Sequence, residues 1–343
     1  MLNLPPRAVF HKIKGNLEIP HELYSVGDVL SHLGVSTTLK YDNGSSLNVS
    51  VLNNPSHLEA INPVAMGKAR AKRLQGKNTA CVLIHGDAAF CGQGIVPEVF
   101  NLAHLPHFTT AGTVHVILNN QLGFTTPALH YRSSRYSGDL GKMVGAPIIA
   151  VNAEKLDDVV RVMKLAAHYR HTFKKDIIVE LIAFRKHGHN EVDSADFTQP
   201  IMYKHIKSRP MFPKLYAQQL EQEGVVSKQE VSSIRKAREE FLEREYQQCE
   251  KYEPEKKYFL GDWEGIQQAA DFSKLSIPVT GVDIDLLKKV AIQSVTVPDS
   301  FKVHERLRGF HIEKRIQTIV NNEPVDWATA ESMAFGTLLT EGY

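Results

Sequence analysis

Residues 79–87 read TACVLIHGD, in which a continuous apolar run of strand length, 79–85, is followed by a glycine and an aspartate. Three similar runs follow it, TVHVIL at 113–118, PIIAV at 147–151 and DIIVELIAF at 176–184. Between the last two runs, the apolar residues of 156–173 recur at helical spacing. Strands that are apolar throughout and alternate with helices predict an α/β fold, with a parallel sheet covered by helices on both faces.

Polar side chains follow these runs where the strands are expected to end. Asp87 comes after the first run, Asn120 after the second and His189 after the fourth. Because ligands bind at the carboxyl edge of a parallel sheet, we expect these groups to converge on one site. Carboxylate, amide and carbonyl oxygens suit Mg²⁺, and the free amides of Ala88 and Ala89 are placed to hold phosphate oxygens. Two ordinary strand-end turns, where Asp and Asn are common, explain the spacing equally well.

The composition excludes several classes of protein. The 343 residues are 43% apolar and 23% charged, which supports a folded core and excludes a disordered, collagenous or coiled-coil chain. The 40 basic and 38 acidic side chains form no long block of one sign, which argues against a nucleic-acid partner. No apolar run reaches the ~18 residues that a membrane span needs. Three cysteines without a Cys-x-x-Cys pair indicate neither a disulfide ladder nor a zinc site.

The second half of the chain has a different character. Residues 201–257 are rich in charge, and Ser227 with Glu230 forms a capping box, so we expect a solvated helical arm. A further helix is predicted to begin at Asp326. Its apolar face consists of Ala328, Ala330, Met333, Ala334, Leu338 and Leu339. The sequence stops where a strand is expected to follow, which we interpret as truncation inside a second α/β domain.

Several short strings occur in order along the chain and together carry a family resemblance. They are NPSHLE at 54–59, HGDAAF at 85–90, GQGIV at 92–96, NNQLGFTT at 119–126 and GHNE at 188–191. The set resembles the thiamine-diphosphate-dependent decarboxylating component of the 2-oxoglutarate dehydrogenase family. Other strings are similar to its 2-oxoadipate paralogue, among them NPV at 62–64 and VDWATAE at 325–331. The resemblance covers nearly the whole chain.

The resemblance implies a metal and diphosphate site of the thiamine-diphosphate-binding fold. Asp87, the Asn120 side chain and the Leu122 carbonyl would hold Mg²⁺, and through it the diphosphate. Ala88 and Ala89 would line the same pocket. The implied cofactors are therefore thiamine diphosphate and Mg²⁺.

Two histidines and one asparagine complete the candidate site. By resemblance, His189 would reach the diphosphate, and His57 would face the carbonyl or the distal carboxylate of the substrate. Outside its string, each would be an ordinary loop histidine. Asn62 is a candidate discriminator between 2-oxoglutarate and 2-oxoadipate, although a helix-capping role fits it equally well.

The resemblance also implies the reaction and its partners. We expect oxidative decarboxylation of a 2-oxo dicarboxylic acid, with transfer of the acyl group to a lipoyl arm. The implied partners are a second copy of the chain in a homodimer, the lipoyl-bearing acyltransferase component and the small-molecule 2-oxo acid. The implied location is the mitochondrial matrix. The paralogue-like strings favour 2-oxoadipate over 2-oxoglutarate.

The same comparison divides the chain and leaves alternatives open. Residues 1–55 are a lead-in, 56–200 the diphosphate-binding α/β domain, 201–257 the arm, 258–324 a connector and 325–343 the start of a pyrimidine-binding domain. The family's His-Arg-Gly-Arg-Leu-Asn string and its activating glutamate are missing, so we expect an internal fragment that is inactive alone. A non-catalytic fragment that dimerises with or scaffolds the full-length subunit is the alternative, and a transketolase-like enzyme is a third.

Overall fold

A computed structural model describes most of the chain. The described residues are 4–16, 34–190, 192–253, 276 and 279–342. The chain separates into two compact units, 1–260 and 261–343. The division into five parts is finer than these units and stays a prediction. None of the helices in the described ranges has the length and apolar character to cross a membrane.

The first unit alternates strands and helices along most of its length. Its strands are β1 (Val35–Lys40), β2 (Ser46–Val51), β3 (Cys81–Gly86), β4 (Thr113–Asn119), β5 (Leu122–Gly123), β6 (Thr126–Pro127), β7 (Ile148–Asn152) and β8 (Ile177–Ile182). Its α-helices are α1 (Pro6–Ile13), α2 (Ile61–Leu74), α3 (Asp87–Gly92), α4 (Ile95–Leu102), α5 (Ala128–Tyr131), α6 (Leu156–Phe173), α7 (Pro200–Ser208), α8 (Phe212–Gln222) and α9 (Lys228–Gln248).

A four-stranded parallel sheet in the order β3-β4-β8-β7 forms the centre of this unit. Each strand lies within one of the four apolar runs or within one residue of it, and α6 begins and ends where the helical spacing does. The predicted α/β fold with a parallel sheet is therefore confirmed. Two antiparallel pairs, β1 with β2 and β5 with β6, lie outside the sheet.

Helices cover both faces of the central strands β4 and β8. On one face, α6 covers a cluster made of Val114, Val116, Ala166, Ile177 and Val179. On the other face, α3 and α4 cover a cluster made of Phe90, Val96, Phe100, Ile117 and Ile178. At the edge strand β3 the α6 side is less covered, since Val82 and Ile84 are 55% and 52% exposed.

The predicted arm contains the helices α8 and α9. The capping box at the start of α9 is confirmed: Ser227 Oγ accepts from the Glu230 N–H at 3.2 Å, and the Glu230 carboxylate accepts from the Ser227 N–H at 2.7 Å. Most of α9 is exposed, including Ile234. Its last turns contact α1, where Arg7 pairs with Glu245 at 2.5 Å. The arm is therefore solvated along most of its length and attached near one end.

In the second unit, the predicted helix at Asp326 forms but packs through a different face. The helices here are α10 (Ile284–Val295), α11 (Glu305–Leu307), α12 (Lys314–Val320) and α13 (Trp327–Thr340), with a π-helical segment at Arg308–Glu313. Asp326 caps α13 by accepting from the Thr329 N–H at 2.7 Å. Leu338 and Leu339 of the predicted apolar face are exposed, while Thr329 and Thr337 are buried.

The packing of α10 on α13 explains this difference. The two helices contact each other at Gly336, where a Cβ atom would strike the Val290 side chain. A close approach of two helices favours a small residue at the contact, and the position of the glycine therefore decides which face turns inward. Periodicity of apolar residues carries no information about such a contact.

Candidate functional site

The predicted metal ligands follow neighbouring strands at the carboxyl edge of the sheet. In the parallel register β3 and β4 end at nearly the same level, so Asp87 and Asn120 lie at one edge. A Cβ on Gly123 would lie 2.7 Å from the Ala88 Cβ. The segment that carries Leu122 therefore passes against the first turn of α3. The structure thus places the Asp87 turn next to the loop of the other predicted ligands.

Asp87 is a buried carboxylate with two side-chain partners. Its side chain is 1% exposed at the start of α3. The Oδ2 atom accepts hydrogen bonds from the Tyr131 hydroxyl and, at 3.2 Å, from Nη1 of Arg132. Nη1 of Arg132 also donates to the Tyr131 oxygen at 2.5 Å. Burial and the Asp87 carboxylate raise the pKa of the Tyr131 phenol, which keeps it protonated as a donor.

The loop after β4 is shaped by two consecutive asparagines. Asn119 Oδ1 accepts from the Gln121 N–H and Asn120 Oδ1 from the Leu122 N–H, each at 3.0 Å. These Asx turns coexist with left-handed backbone at Gln121 and Phe124, whose φ angles are 66° and 56°. Left-handed backbone at such residues persists only where the surroundings hold it in place. The Asn120 and Leu122 oxygens therefore lie on a loop of defined conformation.

Glu180 supports this loop from inside the sheet. Its carboxylate is fully buried in β8 and accepts from Asn119 Nδ2 at 2.6 Å. It also accepts from Ser137 Oγ at 2.8 Å and from the backbone N–H groups of Ser137 and Gly138 at 3.2 and 3.0 Å. Buried polar groups are normally satisfied in this way. Glu180 therefore fixes the side chain of Asn119, the first of the two asparagines.

The His57 turn is tied to β3 through a buried network. His57 itself is exposed, whereas Glu59 is buried and its Oε2 lies 2.6 Å from Nδ1 of His85. Nε2 of His85 in turn lies 3.1 Å from Nδ1 of His115. Burial, with a smaller contribution from His85, lowers the pKa of His115 well below its usual value, so its imidazole is neutral. The network connects the turn of one candidate histidine with the strand that leads to Asp87.

Asn62 belongs to the same network. Its buried side chain donates from Nδ2 to Glu59 Oε2 at 2.8 Å. The N-cap of α2 is Ala60, and no side chain caps this helix. The capping interpretation of Asn62 is therefore wrong, because the side chain is engaged by a carboxylate instead of a helical N–H. Its part in substrate choice stays a prediction.

His189 is exposed beside the asparagine loop. Its ring lies edge-on to the Phe124 ring, with 4.3 Å between the centroids. The Phe124 carbonyl accepts from Nη2 of Arg185 at 2.8 Å, and the Thr125 carbonyl from Nε2 of Gln199 at 3.0 Å. These bonds attach the loop to the segments that follow β8. His189 therefore neighbours the predicted ligand loop.

A cleft of about 840 Å³ opens at the same sheet edge. Residues from the ends of β4, β7 and β8 line it, together with side chains of α7. Among them are Asn120, Asn152, Phe184, Gln199 and Arg209. Ligand sites in open α/β sheets occur at this edge.

Four residues of the site were not predicted from the sequence. Glu59 lies inside a string that carries the resemblance, and Glu180 interrupts an apolar strand run, so the sequence contained a signal for both residues. Tyr131 and Arg132 lie outside every such string, and no spacing links them with Asp87. They were found only through their contacts with its carboxylate.

The sequence of this fold and site matches a known class of protein. The dehydrogenase E1 component family matches residues 6–257, and the chain belongs to that family. The family is thiamine-diphosphate-dependent.

Several curated relatives are similar over the full length of this chain. It is 46% identical over 356 residues to the probable 2-oxoadipate dehydrogenase complex component E1 homolog of Dictyostelium discoideum. It is 42% identical to the 2-oxoadipate dehydrogenase complex component E1 of Rattus norvegicus, and 39% identical to the 2-oxoglutarate dehydrogenase E1 component of Brucella anthropi. The alignments cover 100% of this chain but 39%, 39% and 36% of these relatives.

Proposed function

We propose that this chain supplies the metal- and diphosphate-binding part of an E1 enzyme that oxidatively decarboxylates a 2-oxo acid with thiamine diphosphate and Mg²⁺. The observation that carries the proposal is the buried Asp87 carboxylate beside the loop of Asn120 and Leu122. Family membership supports the choice of cofactor.

The donor set fits the proposed metal. A carboxylate, a side-chain amide oxygen and a backbone carbonyl are hard oxygen ligands, which Mg²⁺ prefers, and Mg²⁺ usually completes its shell with water and phosphate oxygens. No group of three or more His, Cys, Asp or Glu side chains suited to a metal occurs among the described residues. A site with a single carboxylate, completed by a phosphate, agrees with that observation.

Each residue has a definite task in this proposal. When bound, the thiamine cofactor supplies the electron sink for decarboxylation. Asp87 and Asn120 bind the metal, and the segment of Ala88 and Ala89 lines the diphosphate pocket. His189, next to Phe124, contacts the diphosphate, and His57 binds the carbonyl or the distal carboxylate of the substrate. An imidazole can both accept and donate a proton, which suits these two positions.

We propose 2-oxoadipate as the preferred substrate, with 2-oxoglutarate as the runner-up. Seven relatives named for 2-oxoadipate are 40–46% identical, and the Brucella anthropi relative named for 2-oxoglutarate is 39% identical. Asn62 is buried and held by Glu59 beside the His57 turn, and we propose it as the residue that discriminates between the two acids. The acids differ by one methylene, which a pocket discriminates by only about 1–3 kcal/mol. Comparison of kcat/KM for the two acids in the whole enzyme tests this choice.

The proposed assembly follows from the same family. The enzyme works as a homodimer in the mitochondrial matrix and passes its acyl group to the lipoyl-bearing acyltransferase component of a dehydrogenase complex. Names of the relatives as components of a complex support this part of the proposal.

Calorimetric titration of the 343-residue chain with thiamine diphosphate, with and without Mg²⁺, tests the binding site. Asp87→Ala should abolish Mg²⁺-dependent binding, and Asn120→Ala should weaken it strongly. Asn43→Ala is the matched control, because Asn43 forms the same type of turn between β1 and β2, outside the sheet, where its Oδ1 accepts from the Ser45 N–H at 3.0 Å. Unchanged affinity in Asp87→Ala would remove the metal assignment.

A further inference from the structure

Arg132 is an unusual neighbour for a predicted metal ligand. Its side chain is only 8% exposed, and its Nη1 atom contacts Asp87 Oδ2. Its Nε atom is buried and has no hydrogen-bond partner. A buried donor without a partner is costly and uncommon in native proteins. The guanidinium therefore has an unused N–H group next to a site proposed to hold a diphosphate.

The remaining contacts of Arg132 leave its guanidinium free to change partners. Apart from Asp87 and the Tyr131 oxygen, its guanidinium makes a long bond of 3.5 Å from Nη2 to the Arg135 carbonyl and lies 5.2 Å from the centroid of the Tyr131 ring. It follows α5, a helix of only four residues. A guanidinium also matches the geometry of phosphate oxygens, to which it donates two parallel hydrogen bonds.

A metal ion and this guanidinium require the same carboxylate. Both neutralise the buried charge of Asp87, and Oδ2 already accepts two hydrogen bonds from the Tyr131–Arg132 pair. A cation that binds Asp87 must therefore compete with Arg132. Once displaced, a buried guanidinium needs a new anionic partner, since an unpaired buried charge is strongly unfavourable.

We propose that Arg132 is a placeholder cation, which neutralises Asp87 until a divalent metal replaces it and then turns to a phosphate oxygen of the diphosphate. The proposal rests on the proposed metal and diphosphate site. It assigns Arg132 two opposite effects on ligand binding. The residue opposes binding of the metal alone and favours binding of the diphosphate to the metal-loaded protein.

The test separates these two effects with Mn²⁺, which takes the same oxygen ligands and is detected by electron paramagnetic resonance. In the 343-residue chain, Arg132→Met should bind Mn²⁺ alone about tenfold more tightly than the unsubstituted chain. With saturating Mn²⁺, the same variant should bind inorganic pyrophosphate about tenfold more weakly, because a charge-assisted hydrogen bond is lost. A placeholder cation is therefore indicated when the substitution raises the affinity for Mn²⁺ and lowers the affinity for pyrophosphate.

Arg135→Met is the matched control for charge. The Arg135 side chain lies over the Tyr136 ring at 5.4 Å, and the substitution removes the same charge three residues away. If Arg135→Met tightens Mn²⁺ binding as much as Arg132→Met does, the effect is general electrostatics and the proposal is overturned. Unchanged pyrophosphate affinity in Arg132→Met overturns the phosphate contact.

Asp87→Asn distinguishes failure of this inference from failure of the proposed function. If Asp87→Asn loses Mn²⁺ while Arg132→Met leaves its affinity unchanged, the metal site stands and the placeholder is wrong. If Asp87→Asn retains Mn²⁺, both are wrong. Circular dichroism verifies that each variant folds. If Arg132→Met does not fold, Tyr131→Phe is the second variant, because it removes the other donor to Asp87 Oδ2. Unchanged Mn²⁺ affinity in Tyr131→Phe would then overturn the proposed competition between the metal and the Tyr131–Arg132 pair for Asp87.

Discussion

Two buried carboxylates, Glu180 inside the sheet and Asp87 at its carboxyl edge, are held in different ways. Glu180 accepts four hydrogen bonds from uncharged donors, two of them backbone N–H groups. Asp87 accepts from the side chains of Tyr131 and Arg132. Backbone donors leave only when the fold opens, whereas a guanidinium can be exchanged for another cation. The comparison separates a carboxylate that holds the fold together from one that we propose as a ligand of a cation.

The largest expected effect is the loss of the Glu180 carboxylate. Glu180→Ala leaves the donors of Asn119, Ser137 and Gly138 unsatisfied, and each unsatisfied buried group costs about 1–3 kcal/mol. We expect the free energy of unfolding to fall by about 4 kcal/mol, measured by urea denaturation. Glu154→Ala is the control, since Glu154 pairs with Arg209 near the surface at 2.6 Å and should cost less than about 1 kcal/mol. Equal losses in the two variants would contradict a structural role for Glu180.

Asp87→Asn should combine a moderate loss of stability with a loss of ligand response. The amide still accepts a hydrogen bond, but Arg132 loses its counter-charge, so we expect a loss of about 3 kcal/mol. In the unsubstituted chain, Mg²⁺ with thiamine diphosphate should raise the melting temperature, because a ligand that binds only the folded state stabilises it. Thermal denaturation with and without both ligands measures this. Ligand stabilisation that persists in Asp87→Asn would mean that the two carboxylates do not differ as described.

The sequence predicted the strands and the helix around this site better than the side-chain contacts within it. Four apolar runs and the spacing of 156–173 place the strands and α6, because burial on both faces leaves a pattern that a single segment carries. Asp87 and Asn120 became candidate ligands because polar residues at strand ends stand out, and their role as ligands stays a prediction. Arg132, by contrast, lies 45 residues beyond Asp87, and no local pattern records that the two meet.

The face through which α13 packs could not be predicted for a related reason. Its predicted residues have helical spacing, yet the buried face is decided by Gly336, which admits the Val290 side chain. Close packing at a glycine depends on a second helix, so the information is not contained in α13 itself. Predictions from one segment are therefore reliable for elements and weak for the partners that elements choose.

Asp176 sharpens the comparison, because it is a buried carboxylate whose polar contacts satisfy it less fully than those of Glu180. Its Oδ1 accepts from the Thr113 N–H at 2.6 Å. Burial raises its pKa, although the Thr113 N–H, His104 and Arg170 act in the opposite direction. The folded state thus binds this proton more tightly than the unfolded chain, so the stability that Asp176 contributes is complete below its unfolded pKa and lost as pH rises through the folded pKa.

The amide of Asp176→Asn does not titrate, so this variant should show directly how much of the pH dependence of stability comes from Asp176. From pH 4 upward, the unfolding free energy of the variant should increase relative to the unsubstituted chain, by at most about 1.4 kcal/mol per pH unit while one proton is exchanged. Urea denaturation at half-unit intervals between pH 4 and pH 7 measures the two profiles. Parallel profiles would show that Asp176 is satisfied as fully as Glu180.

The smallest effect is expected at an exposed carboxylate, that of Glu230, which caps α9 together with Ser227. Ser227→Ala removes the oxygen that accepts from the Glu230 N–H, and loss of such a cap costs about 1 kcal/mol. Hydrogen exchange of the first-turn amides, with urea denaturation, measures the loss. Ser233→Ala is a control of opposite sign, because Ser233 lies exposed inside α9, where alanine favours the helix by a few tenths of a kcal/mol. If both substitutions change stability in the same direction, the capping box does not contribute through its hydrogen bonds, and an exposed carboxylate here has no measurable structural role.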